Sequence, residues 1–127
     1  MIEILLRQRF GEKYEFFSAG ISPIAMPSMD HRSLKFLKDY NINHGLHTPK
    51  KINRSMLNYF DKFLAVDPFV LNHLNAKYPK YKQKFRSMTM QFSDIDIVDP
   101  YKLKPYEYIK VMQDIKYISE KINLELY

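Results

Sequence analysis

The sequence has 127 residues, of which 46% are apolar, and it carries a formal net charge of +6 and no cysteine. This apolar fraction is too high for a disordered chain and predicts a single globular domain. The lack of cysteine excludes disulfide bonds, thiolate metal sites and a cysteine nucleophile within these residues. No apolar run is long enough to span a bilayer, and Met1 opens no secretory signal, so we expect a cytoplasmic protein with no membrane partner.

The positive net charge suits an anionic partner, such as phosphate groups, nucleic acid or an acidic protein. Solvated surface charge is the simpler interpretation, because the lysines look scattered over helix faces and loops. They include Lys35, Lys38, Lys77, Lys80, Lys82 and Lys84. Without a basic stripe interleaved with aromatic residues, nucleic-acid binding is not expected.

The first part of the chain predicts a helix, a strand and a second helix. Ile2, Leu5 and Leu6 give the opening helix one apolar face, and Gly11 would end it. The aromatic run 14–17 is typical of a short strand.

The second helix is predicted from about Asp30, a good N-cap, to Tyr40, with Leu34 and Leu37 facing the core. The loop that follows has some strand character at 41–43.

The middle of the chain predicts a short helix, a strand and a longer helix. Asn53 or Ser55 would cap the short helix, and residues 63–66 form a buried-looking strand. Asp67 then reads as an N-cap, and Pro68 occupies the first helical position that proline prefers.

A further strand is predicted at 85–88, and Pro105 would begin the last helix. Apolar residues follow at steps of three and four, which is the clearest amphipathic pattern of the sequence. They are Tyr108, Val111, Ile115, Ile118, Ile122 and Leu126.

Helices that alternate with short apolar strands predict an α/β fold with a parallel sheet. Sites in such sheets form in loops at the carboxyl ends of the strands. Ser18, Asp67 and Asp99 each follow an apolar run, so the pattern predicts that they meet at one edge.

Three stretches, 18–20 (Ser-Ala-Gly), 64–67 (Leu-Ala-Val-Asp) and 99–101 (Asp-Pro-Tyr), resemble the low-molecular-weight protein tyrosine phosphatases in their order and spacing. The resemblance covers essentially residues 1–127. It implies a flavodoxin-like three-layer fold, the phosphotyrosine protein phosphatase I type, and the hydrolysis of phosphotyrosine proteins or aryl phosphates through a phosphocysteine intermediate. It implies no metal and no other cofactor.

The resemblance also implies that part of the family's site is not in these residues. The family's phosphate loop has the form Cys, five residues, Arg and Ser-Pro-Met, and a helix follows it. Residues 1–6 look like that helix, with Met1 matching the methionine. We therefore expect an N-terminally truncated domain that lacks the loop and the central first strand, and whose exposed strand edges could form a homo-oligomer.

The family's other functional positions match four residues of this chain. Asp99 matches the general acid and Tyr101 the aromatic wall that stacks on the substrate ring. Ser18 and His47 match positions that brace the phosphate loop. By itself, the Asp-Pro-Tyr stretch is also typical of a surface turn. Family members often continue with Tyr-Gly, where this chain has Lys102-Leu103, so the resemblance does not extend to that side of the pocket.

Other chemistries receive less support from the sequence. The spacing of His44 and His47 could suggest a metal site, but no cysteine or nearby carboxylate supplies a third ligand, so no metal is expected. Three functions stay open: a fragment of an active phosphatase whose full gene product begins upstream, a non-catalytic binding module, and a basic adaptor. We expect the 127-residue chain itself to be inactive.

Overall fold

The computed structural model describes residues 1–21, 31–42, 50–93, 95 and 104–127. The helices and strands of these residues are α1 (Ile2–Phe10), α2 (His31–Asp39), α3 (Arg54–Tyr59), β1 (Phe63–Ala65), α4 (Pro68–Lys77), β2 (Phe85–Ser87) and α5 (Pro105–Lys121). Short 3₁₀ helices are formed by Pro79–Lys84, Met88–Gln91 and Leu124–Leu126.

Helix α1 ends where the sequence predicts. Gly11 does not adopt the left-handed conformation that is common at helix ends. Its φ of −62° is right-handed. A Cβ at this position would collide with the carbonyl oxygen of Arg7. The amide of Tyr14 donates to the carbonyl oxygen of Phe10 at 3.0 Å. Glycine is therefore required for close packing of the turn that leaves α1.

Helix α2 confirms the predicted second helix, and Leu37 is fully buried. The strand character expected at 41–43 is wrong for its first two residues. Asn41 has a φ of +54°, and the amide of Ile42 donates to the carbonyl oxygen of Leu37 at 2.8 Å. This is the Schellman ending of a helix, which a left-handed asparagine permits.

Both predicted caps in the middle of the chain are confirmed. The side chain of Asn53 accepts a hydrogen bond from the amide of Met56 at 3.0 Å at the start of α3. The carboxylate of Asp67 accepts one from the amide of Val70 at 2.7 Å, and Pro68 follows at the first position of α4. Each cap satisfies an amide that has no partner inside the helix.

The described sheet consists of β1 and β2, which are parallel, with Phe63 paired to Phe85 and Ala65 to Ser87. Parallel pairing between strands joined by a helix confirms the α/β prediction.

The strand predicted at 14–17 is wrong as a hydrogen-bonded strand, because these residues form no ladder. A ladder needs a neighbouring backbone, and none within the described ranges pairs with them.

Helix α5 follows its predicted apolar pattern as far as Ile122, whose amide closes the last turn on Ile118 at 2.8 Å. Tyr108, Ile118 and Ile122 are buried. Leu126 does not belong to this face, since it lies beyond the helix and is 61% exposed. The periodicity continues past the point where the helix ends.

Helices cover both faces of β1. On one face, Leu64 packs against a core cluster that includes Leu6 of α1 and Ile118 of α5. On the other face, Ala65 belongs to a cluster with Leu57 of α3, Leu74 of α4 and Phe85 of β2. We call these the α1/α5 layer and the α3/α4 layer. The strand lies between them, as expected for a three-layer α/β domain.

Candidate functional site

Of the four predicted site residues, the structure describes Ser18. His47, Asp99 and Tyr101 lie outside the described residues, as does His44. Their convergence on one site therefore stays a prediction.

The segment that carries Ser18 is tied to the chain that follows His47. The amide of Gly20 donates to the carbonyl oxygen of Lys50 at 2.7 Å, and the amide of Ile52 donates to that of Gly20 at 2.9 Å. Gly20 and Lys51 form a parallel bridge. In the sequence, Ser18 lies two positions before Gly20, and His47 lies three positions before Lys50.

Asp67 reaches the carboxyl end of β1, as its position after an apolar run predicts. Its carboxylate is engaged by the amide of Val70, and it begins α4. This bond gives Asp67 a structural role at the strand end.

The amino end of α1 is desolvated. Burial lowers the pKa of the Met1 amine below its ordinary value of 8.0, and the charge of Glu3 opposes the shift. Glu3 is itself buried and lies 3.6 Å from the guanidinium of Arg7. Met1 also packs against both core clusters that α1 enters. In the neutral form the amine can accept a proton, and in the charged form it adds to the positive field of the helix end.

The positive charge is concentrated in one part of the sequence. Residues 68–93 contain no acidic residue, and their basic residues are Lys77, Lys80, Lys82, Lys84 and Arg86. Tyr78 and Tyr81 interleave with them, but both pack against the α3/α4 layer. Rings that pack against the protein are not accessible for stacking with nucleic-acid bases. This stretch therefore gives no support to nucleic-acid binding.

The described ranges contain no group of three histidine, aspartate or glutamate side chains close enough to hold a metal ion. A search of the same ranges found no helix that is both long and apolar enough to cross a membrane.

Solved structures of phosphatases share this fold. A low molecular weight phosphotyrosine phosphatase from Vibrio cholerae O395 superposes with a TM-score of 0.83 at 20% identity, over 94% of this chain and 82% of that one. Wzb of Vibrio vulnificus, in complex with benzylphosphonate, gives 0.80 at 18% identity over 94% and 84%. The YwlE arginine phosphatase of Geobacillus stearothermophilus gives 0.79 at 19% identity over 94% and 78%. These similarities confirm the predicted flavodoxin-like three-layer class.

The family follows from the sequence match. The model of the low molecular weight phosphotyrosine protein phosphatases matches residues 1–126, and the chain belongs to that family. Comparison with individual curated proteins gave no significant match.

Proposed function

We propose that this 127-residue chain is a phosphatase-like protein that does not hydrolyse phosphotyrosine by itself. The observation that carries the proposal is the absence of cysteine from a sequence that the family model matches over residues 1–126. A phosphocysteine intermediate cannot form on a chain without a thiol.

Removal of a phosphoryl group from a phenol needs a nucleophile, donors that hold the phosphoryl oxygens, and an acid that protonates the departing oxygen. Asp99 is the proposed acid and Tyr101 the proposed wall beside the leaving ring. A positioned general acid contributes about 10²–10⁴-fold, whereas enzymes typically reach about 10⁶-fold or more. The proposed acid therefore cannot sustain turnover without the other two components.

Ser18 is not a good substitute nucleophile. A serine hydroxyl needs an adjacent base to attack phosphorus. Among the described residues, no histidine or carboxylate forms a hydrogen bond with Ser18. Its proposed role, like that of His47, is to brace a phosphate loop.

The proposed ligand class is an aryl phosphate or a phosphotyrosine protein. Support comes from the family match and from the related Wzb of Vibrio vulnificus, whose structure contains benzylphosphonate. The proposal predicts weak binding, because the oxygens of the phosphoryl group would have no cradle of loop amides.

Purified chain assayed with p-nitrophenyl phosphate tests the proposal, with and without a metal chelator and beside the Vibrio cholerae phosphatase as a positive control. We expect the rate of the chain to equal that of buffer. Variants Ser18→Ala and Asp99→Asn should leave this background unchanged. Chelator-insensitive turnover at the rate of the control would overturn the proposal, and its loss in Ser18→Ala would identify a serine nucleophile.

A further inference from the structure

The positive charge of the protein is concentrated in one helix layer. Residues 50–93, which form β1, β2 and the α3/α4 layer, contain nine lysines and arginines and two carboxylates, Asp61 and Asp67. Their net charge of +7 exceeds the +6 of the whole sequence, so the other residues together are slightly acidic. A soluble surface usually mixes both signs, whereas a field of one sign attracts a partner of the other sign.

The ion pairs of the molecule show the same division. Four ion pairs join described residues, and all of them involve α1, α5 or the segments that follow these helices. They are Arg7–Glu3, Lys13–Glu125, Lys110–Asp114 and Lys116–Glu120. Within the described part of the chain, none of the nine cations of residues 50–93 pairs with a carboxylate. Their charge is therefore not neutralised there and attracts an external anion.

Several of these cations meet where the two strands begin. Lys62 immediately precedes Phe63, the first residue of β1, and Lys84 immediately precedes Phe85, the first residue of β2. Phe63 pairs with Phe85, and neighbouring strands lie about 4.8 Å apart. Helix α4 joins the two parallel strands, so it must return to this edge, which brings its last residue, Lys77, to the same place.

The 3₁₀ helix that precedes β2 is held against α3. The ammonium of Lys84 donates to the carbonyl oxygens of Leu57 and Phe60 at 2.8 and 2.9 Å. The hydroxyl of Tyr81 donates to the side-chain oxygen of Asn58 at 2.7 Å. These bonds fix the backbone that carries the exposed lysines of this helix, and a fixed backbone lowers the entropy cost of binding.

Four lysines are exposed at this edge of the sheet, and we call them the lysine edge: Lys62, Lys77, Lys80 and Lys82. Asp61 is the one carboxylate beside them in the sequence. Asp67 lies at the opposite, carboxyl end of β1, where it begins α4. The lysine edge is therefore on the other side of the sheet from the strand end at which the phosphatase site is predicted.

The composition of the lysine edge favours carboxylates over other anions. Its cations are lysines, which present point charges, whereas recognition of nucleic-acid phosphates favours the planar fork of arginine. The rings of Tyr78 and Tyr81 pack against the α3/α4 layer and cannot stack on bases. Between residues 76 and 84 no large apolar side chain is exposed for insertion into a lipid surface. The exposed Phe69 lies in the first turn of α4, at the far end of the helix from Lys77.

We propose that the lysine edge binds an acidic segment of a partner protein, in which glutamate or aspartate residues recur. The contact consists of ion pairs between the ammonium groups and carboxylates. Because these pairs stay exposed to solvent, binding is weak, fast and sensitive to salt. The surface uses none of the predicted phosphatase residues, so the proposal does not depend on whether the chain hydrolyses phosphate.

Fluorescence anisotropy with the intact chain tests the proposal. The probe is a labelled peptide of alternating glutamate and serine, and its control is the same peptide with lysine in place of glutamate. We expect the acidic peptide alone to bind at about 0.1 M salt. Its affinity should fall at about 1 M salt, where the Debye length shortens from about 10 Å to about 3 Å.

Two triple variants with the same change in net charge separate the lysine edge from the charge of the whole chain. The first combines Lys77→Gln, Lys80→Gln and Lys82→Gln. The second removes three exposed charges of α2 and α5 through Lys35→Gln, Lys38→Gln and Lys121→Gln. We expect the first to weaken binding about tenfold, since each exposed ion pair contributes about a factor of two. The second should weaken it less than about twofold, because its charges lie more than about one Debye length away.

Nuclear magnetic resonance of the unmodified chain locates the peptide without any variant. Amide shifts should change at residue 62 and at 77–84 and stay constant in α1. The proposal is overturned if the acidic peptide does not bind, if both triple variants weaken binding equally, or if the shifts lie elsewhere. Tighter binding of single-stranded DNA or of phosphatidylserine vesicles at the same residues would assign the edge to nucleic acid or lipid and would also overturn it.

Discussion

The guanidinium of Arg9 on α1 donates to the carbonyl oxygen of Ser119 on α5 at 2.9 Å, which joins residues 110 positions apart. The same nitrogen lies 3.0 Å from the carbonyl oxygen of Ile122. Carbonyl groups in the last turn of a helix have no partner within it, and the helix dipole favours a cation there. Arg9 therefore fastens the first helix to the end of the last one.

Replacing Arg9 with methionine should remove these bonds while keeping most of the aliphatic stem. Hydrogen bonds to charged groups contribute about 1.5–3 kcal/mol, and because Arg9 is exposed we expect the free energy of unfolding to fall by about 1–2 kcal/mol. Urea denaturation measures the change. Lys110→Met is the control, since its exposed pair with Asp114 on α5 should contribute less than about 0.5 kcal/mol. Equal effects of the two variants would contradict the assignment.

The buried amine of Met1 should make the stability of the 127-residue chain depend on pH. Its pKa is lowered by burial in the folded state, so the unfolded chain binds more protons between that pKa and 8.0. The free energy of unfolding should therefore rise as the pH increases through this window. Thermal melts at a series of pH values test the slope, and an N-acetylated chain should lose it. An acetylated chain with the same slope would assign the dependence to another group.

Tyr127 should ionise at a higher pH than an ordinary tyrosine. Burial raises its pKa to about 12, and its hydroxyl donates to the carbonyl oxygen of Met88 at 2.6 Å. The folded state holds this proton above the ordinary value of 10.0, so the stabilisation is lost as the pH rises from 10.0 to about 12. An ultraviolet titration of Tyr127→Phe should lack this late step, and the variant should be about 1 kcal/mol less stable. Tyr106→Phe, at an exposed position, should retain the step.

Fusion of a family strand and Cys-x5-Arg-Ser-Pro loop ahead of Met1 should create phosphatase activity. The loop amides would meet the amino end of α1, where the helix dipole and the arginine favour a thiolate and a bound phosphate. Asp99→Asn in the fusion should slow phosphotyrosine turnover most, because that leaving group needs a proton. Activated phenols should be affected less. If phosphotyrosine turnover is unchanged in an active Asp99→Asn fusion, Asp99 is not the general acid and the Asp-Pro-Tyr stretch is only a turn.

Local chemistry was predictable from sequence wherever a few neighbouring residues decide the structure. Asp67 and Pro68 specify the start of α4 by themselves, because a cap needs only an oxygen and an amide three residues apart. Leu126 was misplaced because periodicity continues beyond the end of a helix. The strand hint at Asn41 failed because its left-handed backbone closes the preceding helix.

The 14–18 segment shows the limit of this reasoning. Its aromatic composition predicts a strand, and the rings of Tyr14 and Phe16 do lie near Phe10 while Glu15 contacts Tyr59. Hydrogen-bond pairing, however, depends on a second backbone that the local sequence does not contain. The predicted phosphatase site likewise depends on contacts between residues that are distant in the sequence. The motif positions of Ser18 and Asp99 predict residue roles, but their mutual placement is a property of the tertiary structure.

The bond between Arg9 and Ser119 also bears on the order in which the molecule forms during synthesis. Helix α1 leaves the ribosome before its partner α5, which is translated about 100 residues later, and this interval takes roughly 5–20 s at ordinary elongation rates. The cluster of the α3/α4 layer is built from residues closer together in the chain and can assemble before α5 exists. Leu5 can pack against Leu37 as soon as α2 has formed, whereas Leu6 stays exposed until α5 supplies most of its cluster.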